Sequence, residues 1–225
     1  MTANLLHQRC DAADFARVLE GTDPDVVVTQ ELGPWCADVL AGAYPNHHLR
    51  PALGFLGRGI ATRLDVRFGE IDMPGRPATT ATFDLAPGRL RLAGVHLLNP
   101  IQFPWWDMAR IRRRQIDALV EWLEAPGEEG PVVVAGDFNA SPIWPVYRRV
   151  SRHLDDLVSV WGVRSGQEPE PTWGWRPGWP RMLRIDHVFG SSVRADDVRV
   201  VPISGSDHAA VVADLTVEDQ SAVPG

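Results

Sequence analysis

The 225-residue sequence contains no lysine, so all 22 of its basic residues are arginines. Against 29 acidic residues they leave a formal charge of −7, which argues against global electrostatic attraction to nucleic acid or to an anionic membrane. The two cysteines, Cys10 and Cys36, are too few for a disulfide framework. We interpret them as free thiols in a reducing compartment.

The chain also lacks the segments and motifs that mark several other classes of protein. No apolar run approaches ~20 residues, so no transmembrane helix or stable membrane insertion is predicted. Polar sequence follows almost directly after Met1, so we expect no signal peptide and a cytoplasmic location. The absence of cysteine pairs at zinc spacing, of a glycine-rich phosphate loop and of a Gly-x-Ser-x-Gly elbow argues against zinc-structured, nucleotide-binding and serine-hydrolase folds.

What the sequence does contain is a short run of β-branched residues that ends in polar ones, Val132-Val133-Val134-Ala135-Gly136-Asp137-Phe138-Asn139. Such a run is typical of a strand buried on both faces. Positions two apart in an extended chain share a face, so Asp137 and Asn139 are predicted to point the same way, at the strand end where open α/β sheets place their sites. Taken alone, a turn closed by Asp and Asn is an equally good interpretation.

Other apolar segments end in the same manner. Predicted strands end in Asn4, Glu31 and His96 or shortly after them, and polar clusters occur at 184–187 and 206–208. Each residue by itself is better explained as a solvated or hydrogen-bonded side chain, but their conjunction favours a site. Carboxylate and amide oxygens suit Mg²⁺ or Mn²⁺, and imidazole suits proton transfer near neutral pH.

The remaining pattern predicts strands and helices in one domain over residues 1–217, followed by a disordered tail over 218–225. Helices are predicted over 12–20, 35–40, 105–124 and 143–150, and a long loop rich in Gly, Pro and Trp over 162–180. Strands are predicted over 2–6, 25–31, 58–62, 79–84, 89–96, 183–189, 198–203 and 209–217, besides the strand before Asp137.

The motifs Gln30-Glu31, Gly136-Asp137-Phe138-Asn139, Ile185-Asp186-His187 and Ser206-Asp207-His208 resemble, in order and rough spacing, those of the endonuclease/exonuclease/phosphatase superfamily. The resemblance extends from Asn4 to Leu215. It implies an α/β (α+β) fold, a four-layer α/β/β/α sandwich with two packed mixed sheets. It also implies a metal-dependent phosphoesterase.

The resemblance assigns a metal, Mg²⁺ with Mn²⁺ as the alternative, to three positions. Glu31 resembles the principal metal-binding carboxylate, Asn4 lies beside it, and Asp207 resembles a further acidic group near the metal. One feature departs from the family's pattern, because Asn4 follows Met1 by only three residues. We therefore expect that upstream residues, if an earlier start exists, would complete the first strand.

Five further positions resemble the catalytic residues of the family. His208 resembles the acid/base histidine that activates water, and Asp186 the carboxylate that orients it. Asp137 resembles the residue that orients the water or a second metal, Asn139 the amide that holds nucleophile and phosphate, and His96 a donor to a phosphoryl oxygen. Phosphoester hydrolysis needs these functions on chemical grounds alone, since charge must be neutralised and a water oriented.

The substrate stays open between nucleic acid, a lipid headgroup and a small molecule, and a monomer is expected. Trp173, Trp175 and Trp179 are predicted to overhang the site and to shape substrate choice, although packing of the long loop explains them equally well. The arginines at 110–114 and 148–152 are better explained as solvated helix faces than as a binding surface. A catalytically silent binding module of the same fold is the alternative function.

Overall fold

The structure is a computed structural model that describes residues 1–85, 88–101, 104–128 and 130–218. Its helices are α1 (Ala12–Thr22), α2 (Pro34–Ala43), α3 (Trp105–Leu123), α4 (Pro145–Val150) and α5 (Leu157–Ser165). Its strands are β1 (Thr2–His7), β2 (Val26–Leu32), β3 (Asn46–Arg50), β4 (Arg58–Thr62), β5 (Arg67–Ile71), β6 (Ala78–Asp84), β7 (Arg89–His96), β8 (Val132–Asp137), β9 (Asp155–Asp156), β10 (Trp173–Gly174), β11 (Arg181–Leu183), β12 (Asp186–Ser191), β13 (Val193–Pro202) and β14 (Ala209–Val217).

Two six-stranded sheets carry the fold. The first has the order β13-β14-β1-β2-β4-β3 and the second β5-β6-β7-β8-β12-β9, while β10 and β11 form a separate hairpin. Each sheet contains one parallel pair, β1 with β2 and β7 with β8, among antiparallel neighbours. Both sheets are therefore mixed, and strands from the two ends of the chain lie side by side in the first one.

Three apolar layers separate the secondary structure into four. Between the sheets, Val28 and Ile60 from the first pack with Val133 and Ala135 from the second. Outside the first sheet the core contains residues of α1 and α2 such as Phe15 and Leu40, and outside the second it contains residues of α3 and α4 such as Ile116 and Val150. The predicted four-layer α/β/β/α sandwich is confirmed.

Strand β8 shows why its sequence is apolar at every position. Val133 and Ala135 face the other sheet, whereas Val132 and Val134 pack in the layer with α3, so both faces are covered. Full burial of one such side chain contributes about 1.5–3 kcal/mol. This packing fixes β8 within its sheet, so Asp137 at the end of the strand has a defined position.

Several elements differ from the sequence prediction. Strands β3 and β5 lie at sheet edges and carry no apolar alternation, which is why they were not predicted. Helix α5 extends to Ser165, with the Asp156 side chain capping its first turn, so the predicted loop begins four residues too early. The predicted disordered tail lies outside the described residues from residue 219 onward.

Among the described helices, none is long and apolar enough to cross a bilayer.

Candidate active site

Strand pairing brings three distant polar residues into line. Parallel pairing of β7 with β8 places His96 beside Asp137, and antiparallel pairing of β8 with β12 places Asp186 on its other side. Just before Asp137, Gly136 has φ 147°, and a Cβ there would lie 2.0 Å from the Val95 carbonyl oxygen. Only glycine allows the backbones of β7 and β8 to approach so closely.

Asn139 folds back onto Asp137. Its backbone N–H donates to Asp137 Oδ1 at 2.8 Å, and its side-chain Nδ2 donates to Asp137 Oδ2 at 3.0 Å and to the Leu97 carbonyl at 3.0 Å. Asn139 has φ 47°, a conformation that asparagine tolerates better than most residues. The turn and site interpretations are therefore compatible, because the turn itself brings both side chains together.

The other sheet supplies Asn4 and Glu31. Asn4 Nδ2 donates across the sandwich to Asp137 Oδ2 at 3.0 Å and lies 3.4 Å from Glu31 Oε1. Glu31 has φ 52° and is 7% exposed, and its Oε2 is 3.2 Å from His7 Nδ1. One amide thus joins carboxylates that are far apart in the sequence.

His208 and Asp186 form a buried pair. His208 Nδ1 is 2.8 Å from Asp186 Oδ2, and its Nε2 faces Asp137 Oδ2 at 3.9 Å. Thr172 Oγ1 accepts from the Asp186 backbone N–H, and Ser206 Oγ accepts from that of His208 while donating to the Asn4 carbonyl. A carboxylate behind an imidazole holds one tautomer and stabilises the protonated ring.

Burial and charge shift the pKa values of this cluster in different directions. Loss of hydration raises the pKa of Glu31 and raises that of Asp137 to about 7. Burial alone would lower the pKa of His208, but the charges of Asp186, Asp137 and Asp207 outweigh it and raise that pKa to about 10. Burial, with Arg76 and His208 nearby, holds the pKa of His96 well below its usual range.

The donor set suits a hard divalent cation. Burial raises the pKa values of the Glu31 and Asp137 carboxyl groups, and a bound cation would stabilise their ionised forms. Ligand atoms of Asp137, Asp186 and His208 also lie within 4.8 Å of one another. Since the hydrogen bond between Asp186 and His208 occupies two of those groups, the side of the site around Glu31 offers the more available oxygens.

The three predicted metal residues are not equally close. Asn4 and Glu31 are in contact, whereas Asp207 lines the same cavity from another side, where its Oδ2 accepts from Trp173 Nε1 at 3.2 Å. The second oxygen, Oδ1 of Asp207, is buried and has no hydrogen-bond partner among the residues that the structure describes. Asp207 is thus oriented by the β10–β11 hairpin, apart from the contact between Asn4 and Glu31.

A cavity of about 480 Å³ lies over these groups. We call the buried polar cluster at its base the floor, formed by Asn4, Glu31, His96, Asp137, Asp186 and His208. Glu31, His96, Asp137 and His208 line the cavity, whereas Asn4 and Asp186 are hydrogen-bonded to Asp137 and His208 behind it. We call its exposed apolar margin the rim, formed by Phe55, Ile101, Trp144, Trp175 and Leu183. Trp173 also lines this cavity, whereas Trp179 lines a neighbouring cavity that shares Asp207 and His208 with it.

Sequence reasoning missed three residues at the site. Arg76 is 6% exposed, contacts His96 Nε2 and donates to the Leu97 carbonyl, and His7 contacts Glu31. Arg112 was placed on a solvated helix face, but it is 3% exposed and donates to the carbonyls of Phe138 and Asn139. The amphipathic pattern of α3 contained a weak signal for Arg112, since this position lies on the apolar side four residues before Ile116.

Fold and site together define a two-sheet sandwich with a buried acidic and imidazole centre. A sequence model of the Endonuclease/Exonuclease/phosphatase family matches residues 1–208, so the chain belongs to this family, as its motifs predicted. The family's name covers nucleases and phosphatases, and membership supports a phosphoesterase in general. A search of curated proteins found no match.

Solved structures share the fold at low sequence identity. A functionally unknown conserved protein from Enterococcus faecalis has a TM-score of 0.75 and 16% identity, covering 96% of this chain and 98% of that one. A humanized D. rerio TDP2 gives 0.75 and 21%, covering 96% and 97%. The 3′ phosphatase NExo from Neisseria, bound to a product DNA hairpin, gives 0.69 and 20%, covering 96% and 98%. At these identities the likeness shows the fold alone.

Proposed function

We propose that this protein is a Mg²⁺-dependent hydrolase of phosphoester bonds, acting on a diester or a monoester, with residues 1–217 as one cytoplasmic domain. The observation that carries the proposal is the position of Asp137. It lies between a histidine paired with a carboxylate and an amide paired with a second carboxylate. This juxtaposition provides both a proton acceptor and oxygen ligands within one cavity.

Glu31 and Asn4 are the residues we assign to the metal, with Asp137 close by. The carboxylate oxygens of Glu31 and Asp137 are the type of ligand that Mg²⁺ prefers, and Mn²⁺ is the alternative. Asn4 directs its Nδ2 toward both carboxylates, while its Oδ1 accepts from the Leu6 backbone N–H at 3.0 Å. When bound, Mg²⁺ would supply positive charge to the phosphoryl oxygens, where negative charge develops during hydrolysis. Asp207 is proposed as a further acidic group that lines the same cavity.

His208 is proposed to take the proton from the attacking water. With Asp186 on Nδ1, its Nε2 is directed toward Asp137 and the cavity. The surrounding carboxylates raise the pKa of His208 to about 10. A divalent cation held by Glu31 and its neighbours would offset those negative charges, which would lower the pKa of His208 and make the neutral imidazole available as a base.

Asp137 and Asn139 are proposed to orient the water and the phosphate. Their mutual hydrogen bonds leave each with one defined rotamer, which limits the cost of ordering them around substrate. Arg76 and His96 are proposed to face the phosphoryl oxygens as a pair. Because arginine only donates, His96 Nε2 accepts from Arg76 here. If a phosphoryl oxygen replaced it as the acceptor of Arg76, His96 would be able to donate from Nε2 after a change of tautomer that places its proton on that nitrogen.

A catalytically silent binding module would not need this arrangement. Buried carboxylates cost free energy unless a partner compensates them, and here Glu31 and Asp137 are both buried with raised pKa values. Retention of two such groups beside a paired histidine favours catalysis.

The direct test is a panel of phosphodiesters and phosphomonoesters assayed with Mg²⁺, with Mn²⁺ and with excess chelator. We expect turnover of at least one ester with either metal and its complete loss in chelator, restored by added Mg²⁺. Full activity in chelator would contradict the metal assignment. Absence of turnover on every ester, by a protein that binds Mg²⁺ and melts cooperatively, would favour the silent module.

A further inference from the structure

The rim is unusually apolar for a surface that faces solvent. Trp175 is 59% exposed, Phe55 50%, Leu183 45% and Trp144 37%. These side chains come from three separate connections, before β4, before α4 and around the β10–β11 hairpin. Single exposed apolar residues are ordinary, but a contiguous set that lines one cavity is typical of a binding site.

Two aromatic side chains that line the cavity, Trp173 and Phe55, contact polar residues of the site. Trp173 donates to Asp207, and its ring contacts Trp175 edge to face at 5.9 Å between centroids. On the opposite side, Phe55 contacts the His7 ring at 4.9 Å, and His7 in turn contacts Glu31. Aromatic surface is thus present next to both the histidine and the metal sides of the floor.

The charges that line the cavity disfavour the binding of a polyanion. Its lining includes three carboxylates, Glu31, Asp137 and Asp207, and one arginine, Arg76, among the described residues. Arg76 is buried and is assigned above to the reacting phosphate, so it is not available to neighbouring phosphates along a strand. Binding to nucleic acid backbones draws on several exposed cations, which this lining does not provide.

We propose that the cavity binds a small phosphoester whose organic substituent is an uncharged aromatic group, stacked against Trp175 and Phe55. For the phosphate group this inference rests on the proposed function, and it adds the chemical class of the organic substituent. The cavity volume of about 480 Å³ suits one small molecule. Aromatic faces bind a planar group by stacking and by removing apolar surface from water.

Binding to the full chain loaded with Mg²⁺ tests this without requiring turnover. By titration calorimetry, phenyl phosphate is expected to bind about tenfold more tightly than ethyl phosphate, a gap typical of one stacked ring. Trp175→Ala and Phe55→Ala should each reduce this ratio of affinities, the gap, severalfold. Trp175→Phe should keep most of the ratio. Trp179→Ala is the matched control, since Trp179 is equally exposed at 57% but lines the neighbouring cavity, and it should leave the gap unchanged.

Equal affinity for the two phosphates, or no binding of phenyl phosphate, would overturn the inference. So would an unchanged gap in a folded Trp175→Ala protein, or a loss of the gap in Trp175→Phe as large as in Trp175→Ala. Tighter binding of a short single-stranded oligonucleotide, or of phosphatidylcholine vesicles, would overturn it in favour of nucleic acid or a lipid surface. Ring-dependent binding without hydrolysis of any ester would instead refute the proposed reaction and leave this inference standing.

Discussion

The floor and the rim of the cavity are built in opposite ways. Floor residues such as Asp137 and Asp186 are 1% exposed and lie at the ends of paired strands, where hydrogen bonds define their positions. Rim residues such as Ile101, at 74% exposure, come from connecting loops. The comparison teaches that the polar groups are preorganised by the sheets, whereas the apolar margin can change without disturbing them.

The largest expected effect is the loss of kcat when His208 of the floor is replaced. His208→Ala should reduce kcat by about 10²–10⁴-fold, the usual contribution of general acid–base catalysis, with KM largely kept. Asp186→Asn should lose somewhat less, because it removes the charge that stabilises the imidazolium but keeps the size. In the Mg²⁺-loaded enzyme kcat should rise with pH through an acidic-to-neutral limb, and steady-state kinetics should show this limb missing in His208→Ala.

His187 provides the control for that experiment. It lies next to Asp186 in β12 but faces away from the floor, with Nε2 2.8 Å from the Ala140 carbonyl and Nδ1 3.0 Å from Arg184. His187→Ala should therefore lower the Tm, through the loss of these buried bonds, yet keep kcat at temperatures where it is folded. Near-normal kcat in His208→Ala, or a greater kcat loss in His187→Ala, would remove His208 from its role.

A smaller effect is expected on the metal side of the floor. Glu31→Gln keeps the shape of the side chain but removes its charge, so the concentration of Mg²⁺ required for half-maximal activity should rise about 10–100-fold. Glu70→Gln, on an exposed surface carboxylate paired with Arg58, is the control and should leave the Mg²⁺ titration unchanged. An unaltered titration in Glu31→Gln would show that the cation binds elsewhere.

The smallest effect concerns stability and pH. The native pKa of Asp137, about 7, exceeds the ordinary aspartate value, and that of His208, about 10, exceeds the ordinary histidine value. Both groups bind protons more tightly when folded, so the stability they contribute is present at low pH. It is lost as pH rises from about 4 to 7 for Asp137 and from about 6.5 to 10 for His208.

Melting curves in chelator should therefore show a Tm that falls by a few °C between about pH 5 and pH 8, at about 2–4 °C per kcal/mol. Saturating Mg²⁺ should raise the Tm more at the higher pH, because the cation competes with protons for the same carboxylates. Asp137→Asn should flatten the chelator profile, whereas substitution of the exposed Asp155 should not. A Tm that rises over this range in chelator would contradict the assigned shifts.

Much of this arrangement was predictable from local pattern. The strands that carry Asn4, Glu31, His96 and Asp137 were evident because buried strands have an apolar signature and these polar residues interrupt it. The family motifs predicted the four-layer fold. Edge strands β3 and β5 escaped prediction, since a strand paired on one side only does not need that signature.

The rest could not be predicted because it depends on contacts between residues far apart in the chain. The position of Arg112 on the apolar side of α3 is a weak signal of burial, but no residue near it in sequence identifies the carbonyls of Phe138 and Asn139 as the acceptors of its guanidinium. Likewise Trp175 and Trp179 are equivalent in sequence but line different cavities. Loop conformation, set by packing and turn geometry, separates them.

The sequence by itself determined the chemistry available to this protein, namely oxygen ligands, imidazoles and aromatic side chains at the ends of apolar strands, in an order that identifies the family. Only the tertiary structure decided which of them meet. Asn4 reaches Asp137 across 133 residues, and Asp186 rather than a nearer acid pairs with His208. The physical reason is that strand register and the packing of two sheets set side-chain distances, and neither is contained in any local stretch of sequence.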